Sequence, residues 1–154
     1  MSLIDQKIAL AKSSTATAEQ LTKLANDKNS YVRYWVARHP NCPIPILEKL
    51  SNDENSHVRY FVAKHPNCPI PILEKLANDE DSYVRYWVAE HPNCPISILE
   101  KLANDEDSYV RSIANKKLNV KTKFKPDNNP TGTSNSNHQR NLLEYTSQLN
   151  RLWN

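Results

Sequence analysis

The sequence contains a single glycine, Gly132, among 154 residues. Helices commonly end at a glycine in the left-handed conformation, so another residue must end any helices here. Glycine-rich phosphate loops and nucleophile elbows need several closely spaced glycines, and neither motif is present. No other catalytic constellation emerges, and we expect a protein that is not an enzyme.

Disulfides and membrane spans are also missing. The three cysteines recur at one position, and their odd number does not fit a disulfide framework. No apolar run approaches the ~18 residues of a transmembrane helix. Asp5 and Lys7 interrupt the first apolar stretch, which is atypical of a signal peptide. We expect a cytoplasmic protein without membrane contact.

The charge excess is small. The formal net charge is +3, and residues 21–117 carry equal numbers of acidic and basic side chains, so the excess falls in residues 118–154. A neutral array is weak grounds for a nucleic-acid footprint, although a neutral total can hide a polarised face.

What the chain does have is a repeat. Residues 41–66 and 67–92 are nearly identical, and residues 93–111 follow the same pattern with a period of 26 residues. A fixed period in this range indicates a repeat array.

The first part of each unit predicts a short helix. In the unit that starts at Asn67, Cys68 takes the N-cap position and Pro69 the first helical position. Asn78 follows as a residue that tolerates the left-handed conformation at a helix end. The apolar residues of this helix fall within one stripe: Ile70, Ile72, Leu73, Leu76 and Ala77.

The second part predicts another helix, from an N-cap at Ser82 to a stop at Pro92. Val84, Trp87 and Val88 lie near one face of it. Each helix has two to three turns, too few to be stable alone, so neighbouring units must bury the apolar stripes. The sequence therefore predicts an all-α fold, an α-solenoid of two-helix repeats.

The unit resembles that of the leucine-rich repeat variant family across roughly residues 8–118. The resemblance implies a right-handed superhelix in which α-helices alternate with 3₁₀-helices. The family's unit is usually about 24 residues, two fewer than here. Its best-known member carries a cysteine-rich segment for an iron–sulfur cluster; this chain has none, and we expect no cofactor. HEAT repeats are the nearest alternative. The matching residues are Pro69, Leu73, Leu76, Ala77, Asp79, Val84, Arg85, Val88, Ala89 and Pro92.

Three segments are predicted. Residues 1–118 form the solenoid, with a half-repeat at 3–12 followed by four units. Residues 119–138 are polar and predict a flexible linker. Residues 139–154 recover a helical pattern that ends near Trp153, and this amphipathic helix would dock on its own solenoid or on a partner, unless it stays disordered.

Histidine and cysteine recur together in the motif His-Pro-Asn-Cys, at His39, His65 and His91. Both are metal ligands, but each unit supplies only one of each, and equivalent residues of stacked helices lie about 8–10 Å apart. We therefore expect no metal site. A helix N-terminus can also lower a thiol pKa, so redox or enzymatic use of Cys42, Cys68 and Cys94 is a further alternative.

Aspartate and arginine recur as well, as in Asp79 and Arg85. The arginines could await an anionic ligand. Alternatively, each could bridge to the aspartate of its own or the next unit and to loop carbonyls, a role that the planar guanidinium suits. The second interpretation is favoured.

The aromatic residues point most directly to function. Trp35, Phe61 and Trp87 are predicted to be packed, whereas tyrosines one residue earlier form an exposed or half-exposed row. Such a row could bind a protein, stack on single-stranded nucleic acid, or only fill gaps between units. We predict protein binding through the second helices, with nucleic acid as the alternative. The candidate contact residues are Tyr34, Tyr60, Tyr86, Arg38, Lys64 and Trp153.

Overall fold

The computed structural model describes residues 1–123, and all regular secondary structure in that range is α-helical. Two helices recur in each 26-residue unit, so the predicted α-solenoid is confirmed. The helices of this range are α1 Leu3–Lys12, α2 Ala18–Leu24, α3 Ser30–Ala37, α4 Ile44–Leu50, α5 Ser56–Lys64, α6 Ile70–Leu76, α7 Ser82–Glu90, α8 Ile96–Leu102 and α9 Ser108–Lys123.

The helices form two sets with different contacts. The second helices of the units, α3, α5, α7 and α9, stack directly on one another, and α1 continues the same stack at its N-terminal end. The first helices, α2, α4, α6 and α8, each pack between the second helices that precede and follow them. The predicted half-repeat therefore occupies the place of a second helix.

The core repeats with the same period. Leu47, Leu73 and Leu99 of the first helices are fully buried, and so are Val58 and Val62 of the second. Burying one such side chain contributes about 1.5–3 kcal/mol, and stacking makes this possible for helices of only seven to nine residues.

The helices begin one residue from the predicted positions. Pro69, not Cys68, is the N-cap of α6, because its extended backbone (φ −75°, ψ 154°) precedes the first helical turn. Asp81, not Ser82, caps α7, because its carboxylate accepts the backbone N–H of Tyr83 at 2.8 Å. Ile70 then stands at the start of α6 and is 46 % exposed, outside the apolar stripe.

Asn78 does not end α6 in the left-handed conformation. No residue in the range 1–123 has a positive φ. Instead the chain tightens: the N–H of Asn78 donates to the carbonyl of Lys75, and the N–H of Asp79 to that of Leu76. The Asn78 side chain also donates to the carbonyl of Glu74 at 3.0 Å, which satisfies an otherwise open helix end.

The last helix is longer than predicted. Leu118 stands where the earlier units have Pro40, Pro66 and Pro92, so nothing stops α9, and it continues to Lys123 through residues 119–123 that were predicted to be linker. The rest of the predicted linker and the C-terminal amphipathic helix lie outside the described residues.

Two further expectations concern helix type and membranes. Both helices of every unit within residues 1–123 are α-helices, so the 3₁₀-helix implied by the family resemblance is not found there. In the same range, no helix combines the length and the apolar character needed to cross a membrane.

Arginine and aspartate connect consecutive units. Arg59 Nε and Nη2 donate to the two carboxylate oxygens of Asp79 in the next unit, at 2.7 and 2.9 Å. Its Nη1 donates to the carbonyls of Asp53 and Glu54 in its own loop, at 2.8 and 3.3 Å. Arg33 with Asp53 and Arg85 with Asp105 repeat this geometry. The structural interpretation of these arginines is confirmed.

This arginine ladder changes at its ends. Lys7 stands one period before Arg33 and contacts Asp27 at 2.6 Å, so a lysine starts the ladder. At the other end, the guanidinium of Arg111 donates to the carbonyls of Asp105 and Glu106, and within residues 1–123 it contacts no carboxylate. The side chains of Arg59 and Asp79 are only 9 % and 6 % exposed. Removing one of the two charges therefore leaves the other buried without a counter-ion.

We expect Asp79→Asn to lower the free energy of unfolding by about 3 kcal/mol, because it leaves the buried charge of Arg59 without its counter-ion. Glu80→Gln is the matched control: Glu80 also contacts Arg59, at 3.4 Å, but its side chain is 89 % exposed. Urea denaturation of both variants at neutral pH measures the difference. If the two variants are equally stable, the ion pair between Arg59 and Asp79 does not stabilise the contact between consecutive units.

Candidate functional site

The recurring histidines end the second helices and are buried, with exposures of 2–3 %. The Nε2 atoms of His65 and His91 lie 3.0 Å from the carbonyl oxygens of His39 and His65, one period earlier. The Nδ1 atom of each ring accepts the backbone N–H two residues on, as from Asn67 to His65 at 3.1 Å. Since Nδ1 accepts, Nε2 carries the proton and donates. We call this chain of contacts the histidine ladder.

A metal ion finds no ligand set at these rings. The single lone pair of each neutral imidazole already accepts a backbone N–H. Across residues 1–123, no three His, Cys, Asp or Glu side chains converge. The geometry supports a structural role for the histidines.

Burial lowers the pKa of His65 and of His91 below the ordinary value of 6.5, and the hydrogen bond to the preceding carbonyl offsets part of this effect. Nearby positive charge lowers the pKa further. For His65 this is the charge that His39 would carry if protonated, and for His91 it is the charge of a protonated His65 together with the ammonium groups of Lys121 and Lys117. Lys117 stands at the histidine position of the last unit, and its ammonium contacts the carbonyl of Glu90 at 3.2 Å.

The thiols face the core. Cys42, Cys68 and Cys94 are free and buried, and the Sγ atom of Cys68 lies 3.9 Å from the carbonyl of Pro69. Burial raises the pKa of Cys42 and Cys68 to about 12 and that of Cys94 to about 11. The alternative of a reactive thiol required a lowered pKa, whereas burial raises it, so the structure does not provide the thiolate that reactive cysteines need.

A continuous band of rings crosses the second helices α3, α5 and α7. We call it the aromatic stripe. The ring centroids of Tyr34 and Phe61 lie 4.6 Å apart in an edge-to-face arrangement, and Tyr60 contacts Tyr83 of the next unit at 5.2 Å. Such pairs add to the burial of their apolar surface. The stripe consists of Tyr31, Tyr34, Trp35, His57, Tyr60, Phe61, Tyr83, Tyr86 and Trp87.

Two tyrosines outside the predicted row are more exposed than the predicted ones. Tyr34, Tyr60 and Tyr86 are half-buried, as predicted, but so are the neighbours that were predicted to be packed. Tyr31 and Tyr83 are 53 % and 55 % exposed and stack on the tyrosines three residues later. The spacing of three residues within one helix was the signal that places them on the same face.

Cations lie over the stripe at one repeat position. Arg38 is 4.6 Å from the centroid of Trp35 and 5.2 Å from that of Phe61. Lys64 is 4.1 Å from the centroid of Trp87 and 5.9 Å from that of Phe61, so the two cations flank the same ring. Lys12 lies 4.4 Å over Trp35. We call Lys12, Arg38 and Lys64 the cation row.

The row is distinguished by its place over aromatic rings. The lack of a carboxylate contact within residues 1–123 is shared with other basic side chains, among them Lys28 and Arg111. No member of the row contacts a carboxylate of residues 1–123, whereas the ladder arginines 33, 59 and 85 and the surface Lys23 all do. The next equivalent position is Glu90, which is bonded to Lys117 at 2.7 Å. The row therefore ends after three cations.

Between Arg38 and Lys64 lies an open depression of about 170 Å³. Phe61 is one of its walls, and Ala37, His65 and Pro66 complete it. Arg38 is held at its edge by a hydrogen bond from Nη1 to the hydroxyl oxygen of Tyr34, 3.0 Å long.

Two polar atoms of the stripe lack partners. The indole Nε1 atoms of Trp35 and Trp87 are buried and have no acceptor among residues 1–123. An unpaired buried donor costs about 1–3 kcal/mol, so the stripe contains local destabilisation of a kind common at functional surfaces. The remaining predicted contact residue, Trp153, lies outside the described residues.

Comparison of the chain with protein-family models, with curated proteins and with solved structures gave no significant match. The resemblance to the leucine-rich repeat variant family stays a prediction that depends on the motif residues alone.

The histidine ladder predicts a loss of stability in mild acid. The folded-state pKa values of His65 and His91 lie below the unfolded value of 6.5, so the folded protein disfavours protonation. The two histidines contribute fully to the free energy of unfolding above pH 6.5, and this contribution declines as the pH falls below 6.5 towards their folded-state pKa values. Urea denaturation at several pH values from 7.5 to 5 measures how steeply the free energy of unfolding falls with pH. In the variant His65→Gln, His91→Gln the free energy of unfolding should depend less on pH. An unchanged pH dependence would show that these histidines do not cause the loss of stability.

The thiols should resist modification in the folded protein. Because burial raises their pKa to about 11–12, we expect an aromatic disulfide reagent at pH 8 to react only after urea is added. The reagent releases one aromatic thiolate for each cysteine that reacts, and the absorbance of this thiolate gives the number of reacted cysteines. Rapid reaction of any thiol without denaturant would show that its site is open to water.

Proposed function

We propose that the chain is a non-enzymatic binding module whose aromatic stripe contacts another protein. The observation that carries the proposal is the combination of a half-buried ring surface with three cations that have no carboxylate partner among residues 1–123. Tyrosine, tryptophan and arginine are the residues enriched at the energetic centres of protein interfaces. In this proposal the array is a scaffold, and its repeat resembles that of the leucine-rich repeat variant family.

The rest of the array supports a binding role rather than a catalytic one. Its arginines are used between units, its histidine nitrogens are hydrogen-bonded, and its thiols are buried. The groups that commonly carry chemistry therefore serve the fold. Three free thiols also fit a reducing compartment such as the cytoplasm.

Single-stranded nucleic acid is the second candidate, because exposed tyrosine rings beside cations also suit stacked bases. The geometry favours it less. The rings of Tyr31 and Tyr34 are stacked on each other, with centroids 5.3 Å apart, and those of Tyr83 and Tyr86 are stacked at 6.2 Å. Each pair thus has faces already in use. Glu90 also interrupts the positive positions that a phosphate backbone would follow.

The variant Tyr31→Ala, Tyr83→Ala tests the proposal, because both rings are more than half exposed and their removal should leave the fold stable. The immobilised full chain is used to capture proteins from lysate, with and without nuclease. We expect a captured protein that nuclease does not release and that the variant loses by about tenfold or more, as the loss of interface tyrosines commonly produces.

Tyr109→Ala provides the matched control. Tyr109 occupies the same repeat position in α9, is 77 % exposed and contacts no ring of the stripe. Capture that falls equally in both variants would argue against the stripe as the contact surface. Capture that disappears with nuclease would favour the nucleic-acid candidate.

A further inference from the structure

The charges of the cation row indicate which chemical class of partner the aromatic stripe would bind. Lys12, Arg38 and Lys64 recur at one position of successive units, and each lies over at least one ring of the stripe. A cation over an aromatic ring keeps its charge available on the side away from the ring. Within residues 1–123 none of the three cations forms a salt bridge, so the row presents three positive charges along a surface of aromatic rings.

The depression between Arg38 and Lys64 offers a place for one anionic group. Both cations flank Phe61, which forms the wall between them. The bond from Arg38 to the Tyr34 hydroxyl holds the guanidinium at the edge of the depression before any ligand arrives. A carboxylate placed there would receive charge-assisted hydrogen bonds from two sides, and the pre-set guanidinium reduces the ordering that binding requires.

The spacing of the row indicates the form of the ligand. Equivalent residues of stacked helices are about 8–10 Å apart. A peptide in the polyproline II conformation has three residues per turn and rises about 3.1 Å per residue, so every third side chain lies on the same face, about 9 Å apart. A segment in this extended conformation with an acidic residue at every third position would therefore match the row one carboxylate to one cation.

We infer that the aromatic stripe binds an extended acidic segment of a partner protein, whose carboxylates lie on Lys12, Arg38 and Lys64 and whose apolar side chains cover the rings. This inference rests on the proposed function and adds the chemistry of the partner. Glu90, bonded to Lys117, limits the match to three carboxylates.

The probe is a synthetic peptide of roughly nine residues that carries three glutamates at every third position and apolar residues between them, with prolines among these to favour the polyproline II conformation. A second peptide of the same composition groups the glutamates at one end, and a third replaces them with glutamine. Fluorescence anisotropy with the full chain measures binding at low and at moderate salt. We expect the spaced peptide to bind about tenfold more tightly than the grouped one, and the glutamine peptide to bind weakest.

The variant Arg38→Gln, Lys64→Gln should weaken the spaced peptide about tenfold or more. Its control, Lys23→Gln, Lys28→Gln, removes the same charge from exposed side chains of α2 and of the loop after it. Lys12→Gln is a second test of the row if the double variant does not fold. A peptide extended by a fourth spaced glutamate should gain no more than about twofold, because Glu90 occupies the next position.

Four results would overturn the inference. If the spaced and grouped peptides bind with equal affinity, the carboxylates do not pair one to one with the cations of the row. Equal weakening by the control variant would show a general charge effect. Tighter binding of a single-stranded oligonucleotide of equal charge, in competition with the peptide, would assign the row to phosphates. Absence of peptide binding, while the tyrosine variant still loses its captured protein, would reject the acidic segment but leave the proposed function standing.

Discussion

The buried ion pair between the arginine of one unit and the aspartate of the next is the contact on which the stack depends. Each guanidinium donates hydrogen bonds from one side to the carbonyls of its own loop and from the other side to the carboxylate of the next unit. Taking either charge out of water is unfavourable without the other, so the pair stabilises a single spacing and register between units more than it stabilises a unit by itself. Hydrophobic burial drives the stacking, and the ladder decides how the units meet.

This arrangement leaves one surface for other use. The arginine ladder occupies the beginning of the second helices and the histidine ladder their end. The face between them carries the half-buried rings of the stripe, two indole donors without an acceptor among residues 1–123, and the cation row. The groups with strong directional chemistry thus form contacts within the fold, and the aromatic stripe with the cation row is the surface that we propose for a partner. That separation favours binding over catalysis.

Much of the fold could be predicted because it depends on periodicity. The two-helix unit, the buried valines Val84 and Val88 and the bridging arginines follow from residue type and spacing. Helix starts were misplaced by one residue because an aspartate side chain and a proline backbone competed with Ser82 and Cys68 for the cap. The extension of α9 depends on the absence of a proline at Leu118, a signal that was available in the sequence.

The candidate site was harder to predict than the fold. The half-buried tyrosines followed from helix geometry, but Arg38 and Lys64 could be named only as neighbours, because their position over particular rings depends on contacts between units. The burial that raises the pKa of the thiols is likewise a property of the stack and not of the motif.

The near identity of residues 41–66 and 67–92 has a consequence for how such a chain can change over generations. Each unit donates to its successor the same bonds that it accepts from its predecessor. Loss or duplication of one whole unit would therefore join matching surfaces and leave no bond open. Loss or duplication of residues 41–66 would remove or add one ring pair together with Lys64, whereas the same change in residues 67–92 would involve Glu90 in place of a cation. A change in copy number would thus alter the length of the stripe while the architecture stays constant.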